Sequence, residues 1–392
     1  MTRLQLLALA DDLTGAMEVG AQFAARGIVS AVTAEQSLQP SGLTETTRVL
    51  VIDTGTRHLP ASEAAQTVHR LACAAKEGAI RFLFKKTDST LRGNIGSEIG
   101  ALMAAFPDVP LVYAPAYPRM GRTVHNGVLH VDGVPVSETA FGADGLNPVK
   151  YSAIPRLLQE EMPGLQVIVT SPGEVGRATA PAAYVVDGET EDDLRAAANG
   201  FVGTDPPRLA AGPAGFAGHL ADHLPLERSQ PAPWPSIESC LIVSGSLHEL
   251  SRRQIDHALS SGWRLTSPER AVDDLAYSRW VLARTSDFSA LAGELLADRV
   301  GRIVVDIVRQ AGPDALFVFG GDTGGGVLRA LGSPILRPLG EVLPGVPLAV
   351  VDAGALGARI DRKGRVLILI TKAGGFGPLD ILAQVRARLD RT

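Results

Sequence analysis

Asp11 and Asp12 stand side by side after the apolar run Leu4 to Ala10, and Leu13, Thr14 and Gly15 follow them directly. Acids at such a turn can simply cap a helix. They can also face a ligand, because strand-to-helix turns of open α/β sheets lie where ligands bind, beside unpaired helix N–H groups. Three further turns carry similar equipment. "VLVID" is followed by Asp53, Thr54 and Arg57; "IRFLFKK" leads into Lys85, Lys86, Asp88, Ser89, Thr90, Arg92, Gly93 and Asn94; and "LVYA" opens a Pro- and Gly-rich loop holding Arg119, Gly121, Arg122, His125 and Asn126. In a parallel sheet these ends converge on one edge. The resulting mixture of carboxylates, arginines, hydroxyls and amides suits a small polyhydroxylated anion, since Arg forks pair a carboxylate while acids and amides take hydroxyls.

The second half offers a different chemistry. "FVFGGDTGGG" places Gly320, Gly321, Asp322 and Thr323 between an apolar strand and a helix; "TKAGGFG" places Lys372 before Gly374, Gly375 and Gly377; and "VSGSLHELSRRQ" places Ser244, Gly245 and Ser246 before another helix. Singly, each is a tight turn. Together, at strand ends in one region, they offer backbone N–H groups to phosphate oxygens and favour a nucleotide polyphosphate. No Walker A loop is present, and no G-x-G-x-x-G with its distant acid, which argues against a dehydrogenase. His125 and His130 do not make a zinc pattern, so no metal ligands are assigned.

Both groups of turns need strands and helices to hold them. Short apolar runs alternate with helical patterns around Ala16 to Arg26 and Ser62 to Lys76, and "VIVT" at Val167 and "AYVVD" at Ala183 continue the rhythm, which predicts parallel strands with crossover helices. Pro225, Pro231, Pro233 and Pro235 then break it. Beyond that break strands are predicted from Cys240 and Ala315, helices over Ser251 to Ser261, Gly324 to Leu331 and Leu379 to Leu389, and a hairpin around Asp361 to Gly364. The fold class is therefore α/β, with two domains, each a mainly parallel sheet flanked by helices: 1–224, a Pro-rich linker at 225–237, and 238–392.

The composition bounds the partners. With 392 residues, net charge -5 and 45% hydrophobic residues, the chain can bury a substantial core and lacks the basic footprint of a nucleic-acid binder. No apolar run approaches membrane-spanning length, and the N-terminal run is too brief for a signal peptide. Cys73 and Cys240 read as buried free thiols of a reducing compartment, and the cytoplasm is the expected location. A homo-oligomer stays open.

Taken in order, "ADDLTGA", "KTDSTLRGNIG", "APAYPRMGRTVHNGVLHVDG", "VSGS", "GGDT" and "KAGGFG" resemble the signature segments of the four-carbon acid sugar kinase family, across essentially the whole chain. The resemblance implies an N-terminal domain that binds a tetronate-type acid and a C-terminal domain that binds ATP. It implies phosphorylation of erythronate, threonate or an oxo relative, typically at the terminal hydroxyl. Carried over, the acid-binding positions are Asp11, Asp12, Thr14, Gly15, Lys86, Asp88, Ser89, Arg92, Gly93, Gly121 and Arg122, with Arg57 added from the second turn. The nucleotide positions are Ser244 to Ser246, Gly320 to Thr323 and Gly374 to Gly377. His248 and Ser251 depart from the family's small hydroxyl residue and Thr.

On this basis Arg92 and Arg122 would hold the carboxylate, Asp12 or Asp88 would deprotonate the attacking hydroxyl, and Lys372 would neutralise phosphate charge. Mg2+ would bridge the phosphates largely through water. A kinase of another small hydroxy acid shares every one of these residues, and a non-catalytic sensor of an acid sugar and a nucleotide is the rival from another class.

Overall fold

The structure, a computed structural model, describes residues 4–203, 207–246, 248–267, 269–284, 294–351 and 366–390. Its N-terminal half contains β1 (Leu6–Ala10), α1 (Leu13–Ala24), β2 (Ser30–Thr33), β3 (Val49–Asp53), α2 (Ala61–Glu77), β4 (Phe82–Lys86), α3 (Ile95–Ala105) and β5 (Leu111–Tyr113). It continues with β6 (Arg122–His125), β7 (Val128–Val131), β8 (Val134–Pro135), α4 (Ile154–Glu161), β9 (Val167–Thr170), β10 (Ala183–Val186), α5 (Glu191–Val202), β11 (Arg208–Gly212) and α6 (Ala214–His223). Residues 225–239 carry no helix or strand. Next come β12 (Cys240–Ser244), α7 (Glu249–Ser260), β13 (Leu265–Thr266), α8 (Ala271–Tyr277), β14 (Trp280–Arg284) and α9 (Glu294–Ala311). The chain closes with β15 (Ala315–Phe319), α10 (Gly321–Ala330), β16 (Leu336–Leu343), β17 (Val346–Val351), β18 (Leu367–Lys372) and α11 (Ile381–Leu389).

Strands β1, β3, β4, β12, β15 and β18 are buried along their whole length. That is why they read as unbroken apolar runs: helices cover both faces of a parallel sheet, so no polar alternation is needed. From β2 to β9 all pairings are parallel, in the order β2-β3-β1-β4-β11-β5-β10-β9. The other half runs β13-β14-β12-β15-β18 in parallel, then turns antiparallel through β17 and β16.

The two sheets do not stand apart. They meet as one 15-stranded sheet where β16 lies antiparallel to β2, through the pair Leu336 and Val32. Helix α1 lies over this seam. A side chain at Gly20 would come within 2.6 Å of Pro338 Cγ and 2.8 Å of Val32 Cγ2, so only glycine lets the helix rest on both halves. The short β2, absent from the sequence reading, is thus the strand that joins the halves.

Other expectations need adjustment. The Pro- and Gly-rich loop after β5 folds into a separate three-stranded sheet, β6-β7-β8. Strands β17 and β18 pair antiparallel as a hairpin would, but Asp361 to Gly364 lie outside the described residues. Cys240 is buried, whereas Cys73 is only half-buried, beside His69.

Candidate active site

Register sets the stage. Ala10 at the end of β1 is level with Asp53 at the end of β3 and with Lys86 at the end of β4, so the turns carrying Asp11, Asp12, Arg57 and Asp88 are neighbours. Arg57 is their hub. Its Nε and Nη2 donate to the two carboxylate oxygens of Asp11 at 2.7 and 2.8 Å, and its Nη1 donates to Asp12 Oδ2 at 2.5 Å. Asp88 lies 3.7 Å away and is itself gripped by Arg92, whose Nε and Nη2 both donate at 3.0 Å. Asp12 keeps its capping role as well, since its Oδ1 accepts from the Gly15 N–H at 2.8 Å. Gly93, at φ +90°, lets its loop pass close by the Asp11 carboxylate.

These groups are buried, and their charges must support one another. Burial pushes the Asp88 carboxyl up, but Arg92 and Arg57 overcome it and hold the group well below the ordinary carboxylate range. Asp11 is likewise lowered: Arg57, Lys85 and Lys86 more than offset its desolvation. At Asp53, burial beside Asp12 and Asp11 outweighs the Gly55 N–H and the Arg57 charge and pushes the carboxyl up to about 7. Below this layer Lys85 Nζ meets Glu98 Oε2 at 3.0 Å, with both side chains fully buried. Removing either partner would strand a buried charge, at a cost of about 3–5 kcal/mol.

The glycine loops also lie side by side. Ser244, Phe319 and Lys372 are level at the ends of β12, β15 and β18, so the turns that follow sit on three adjacent strands. They pack very closely: a side chain at Gly245 would fall 2.1 Å from Thr323 Oγ1. The turn after β18 is held from behind by α7. Ser251 Oγ donates to the Gly374 carbonyl at 2.9 Å, and Gln254 Nε2 donates to the carbonyls of Phe376, Gly377 and Pro378 at 2.9–3.0 Å.

Lys372 differs from the expectation for it. Its side chain is fully buried, and Nζ donates to Ser251 Oγ and to the carbonyls of Ala373 and Gly374 at 3.2, 2.8 and 3.1 Å. It braces the loop from inside. Desolvation lowers it to about 7. His248 also finds a use, because its Nδ1 accepts from the Leu250 N–H at 3.1 Å and caps α7, while its ring lies 6.3 Å from that of Phe141 in the other half.

The two sets of loops meet. A methyl group at Gly321 would lie 2.9 Å from Asp12 Oδ2 and 3.4 Å from Thr14 Oγ1, and His58 Nε2 lies 3.3 Å from Asp322 Oδ1. At the junction is a cavity of about 30 Å3 lined by Asp12, Glu18, Lys86, Asp88, Arg92 and Phe376 among others. Of the predicted residues, Thr14, Gly15, Arg57, Ser89 and Gly375 line it too. Asp11 and Gly93 stand behind Arg57, and Gly121, at φ +73°, turns the chain into β6 beside Asp132. Arg122 stacks 5.6 Å from the Phe376 ring, with its Nε buried and unpartnered. Among the described residues neither Arg122 nor Lys86 has a carboxylate within ion-pair distance, whereas Arg92 is taken by Asp88 and Asp144. His125 points away and pairs with Glu189.

Sequence reasoning missed Glu18, Phe141 and Asp144. Glu18 was hidden in a helix that reads as apolar and small; an acid on a helical face otherwise entirely buried was the available signal. Phe141 lies in a short 3-10 helix, Ala140–Ala143, and Asp144 closes it, in a segment without a motif.

Comparison with known proteins agrees with this division of labour. Residues 6–220 match the family described as a sugar-binding N-terminal domain, and residues 278–382 match a nucleotide-binding C-terminal domain. The chain is 32% identical to a D-threonate kinase of Salmonella typhimurium, covering 95% of this chain and 96% of that one. It is 27% identical to a 3-oxo-tetronate kinase of Cupriavidus necator, covering 97% and 96%. A solved protein of Bordetella bronchiseptica, a domain-swapped dimer with bound citrate, is 28% identical with a TM-score of 0.51, covering 99% and 98%.

Proposed function

The chain belongs to the four-carbon acid sugar kinase family, and from that premise we propose that it transfers the γ-phosphoryl group of ATP to the terminal hydroxyl of a tetronate, with Asp12 as the base. It is a carbohydrate kinase acting on four-carbon acid sugars and using ATP, with an alcohol group as acceptor. Residues 1–224 are taken as the acid-binding part and residues 238–392 as the nucleotide-binding part, working in the cytoplasm.

One observation carries the assignment of the base. Asp12 is the acid that adjoins a glycine loop, with its Oδ2 2.9 Å from where a Gly321 methyl would be. A base must reach the attacking hydroxyl while the γ-phosphate is held next to it. Asp88 is less suited, because Arg92, Thr90 and Arg57 already surround its oxygens. The carboxylate of the acid falls to Arg122, which lies over Phe376 of the cavity wall, and to Lys86, which lines the cavity; neither has an acidic partner within ion-pair distance among the described residues. Arg57 keeps Asp12 oriented while the hydroxyl proton passes to its carboxylate.

The loops at Ser244–Ser246, Gly320–Thr323 and Gly374–Gly377 would hold the ATP phosphates by backbone N–H groups, as glycine turns do. Mg2+ would arrive on the nucleotide and bridge the phosphates, mostly through water and with at most one or two carboxylates. A cavity of about 30 Å3 holds about one water. A four-carbon acid needs more room, so the halves part to admit it and close to exclude water.

The test is ATP- and Mg2+-dependent ADP release against D- and L-erythronate, D- and L-threonate and their oxo derivatives. Strong turnover with one of them is expected. Binding of ATP and acid without ADP release would instead make the protein a sensor.

A further inference from the structure

Glu18 has no part in the mechanism above, yet it lines the same cavity. It follows Thr14 by four residues, so the two side chains lie one above the other on the face of α1 that also presents Asp12 and Gly15. Both are buried, Thr14 at 2% and Glu18 at 4% exposure. Thr14 Oγ1 is buried with no hydrogen-bond partner, and among the described residues Glu18 makes neither a hydrogen bond nor an ion pair. Buried polar groups in folded proteins are nearly always satisfied, and exceptions that open onto a cavity point to a ligand.

Much of the remaining wall is already committed. Arg57, Asp88 and Arg92 are bonded to one another, and the opposite wall is Ala373, Gly375 and Phe376 of the nucleotide half. What remains for the hydroxyls between the carboxylate and the phosphorylated end is Ser89 and the α1 face, and the acid without a partner among them is Glu18. Resting on the kinase reading, we infer that Glu18, with Thr14, reads a mid-chain hydroxyl of the acid and so sets which four-carbon acid is accepted.

The chemistry suits that task. A carboxylic acid group offers one donor and one acceptor, which matches a hydroxyl; a keto oxygen or a methylene cannot use both. Burial pushes Glu18 up to about 8, against the pull of Lys86 and with the support of Asp12, Glu341 and Asp88, and Tyr117 also faces it. Its protonated form is thereby favoured near neutral pH, which lessens the repulsion of an anionic substrate.

The experiment compares wild type, Glu18→Gln, Glu18→Leu and Thr14→Val on the preferred tetronate and its 2-deoxy and 3-deoxy analogues, by turnover and by calorimetric binding. Thermal shift with ATP checks that each variant folds. A site built to bond a hydroxyl rejects the analogue lacking it by at least ~100-fold. Wild type and Glu18→Gln should show that ratio for one deoxy position, Glu18→Leu should lose most of it, and Thr14→Val should lose part. KM for the acid should also rise above pH about 8 in wild type and stay flat in Glu18→Gln. An unchanged ratio in Glu18→Leu overturns the inference. If wild type binds the acids without phosphorylating them, the kinase reading falls while the binding ratios still decide the role of Glu18. If no acid binds at all, both fall.

Discussion

At the ends of β1, β3 and β4 the side chains are charged, buried and bonded to one another; at the ends of β12, β15 and β18 they are mostly glycine and serine, and what holds the loops comes from behind. Arg57 grips two aspartates directly in the first region. In the second, Ser251, Gln254 and Lys372 grip the carbonyls of the turn, so that its hold comes through the backbone and not through charged pairs. The same topological position thus serves two purposes. A small acid with hydroxyls needs side chains of defined sign and direction, and their desolvation costs are offset by mutual pairing. A polyphosphate needs a close approach to N–H groups, which any Cβ would impede.

That contrast can be broken most severely at Asp12. Asp12→Asn should lower kcat/KM by about 10²–10⁴, the range for removal of a general base, while ATP affinity measured by calorimetry stays within a few-fold. If turnover is near normal, the base is elsewhere. Gly321→Val should come next. Its added carbons meet Asp12 Oδ2 across the junction, and misplacement of reacting groups by about 1 Å costs on the order of 10²-fold, so kcat should fall more than ATP or acid binding. A loss confined to ATP binding would show that the loop serves the nucleotide without approaching the base.

Lys372→Met sharpens the claim that the second region is built from behind. It removes two hydrogen bonds to carbonyls of the β18 turn and one to Ser251 Oγ, so KM for ATP should rise about tenfold with little change in KM for the acid. Its pH dependence has a definite sign. The folded value is depressed to about 7 from an ordinary 10.5, so between these values the unfolded chain binds more protons, and wild-type stability should gain on Lys372→Met as pH rises through that window. Denaturation at pH 6 and pH 9 would show this; a difference independent of pH would mean that Lys372 is charged throughout.

The first region was the more legible in sequence, and the reason is physical. Asp11, Asp12, Arg57, Asp88 and Arg92 are charged residues directly after apolar runs, and few other arrangements put charge at the end of a buried strand. Gly320, Gly321, Gly374 and Gly375 were equally visible as turns. What escaped was partnership. Nothing in "TKAGG" says that Lys372 turns inward, because that follows from Ser251 lying one helix away. Nor does "SAVT" say that β2 carries the seam, since a strand of four residues gives too short a pattern for its place in the sheet to be read.

The smallest effect is expected where the two regions touch at the surface. His58 pairs with Asp322 of the glycine loop at 3.3 Å and with Asn147 at 2.8 Å, but the His58 and Asp322 side chains are 42% and 66% exposed. A pair so wetted contributes under about 1 kcal/mol. The hydrogen bond to Asp322 raises His58 above its ordinary value near 6.5, so the contribution is complete below that value and is lost as pH rises through the raised one. His58→Gln should therefore cost a few tenths of a kcal/mol at pH 5.5 and almost nothing at pH 9, with kcat unchanged within about twofold. A large fall in kcat at both pH values would mean that this contact belongs to the chemistry, and that the boundary between a charged region and a glycine region runs elsewhere than through Asp322.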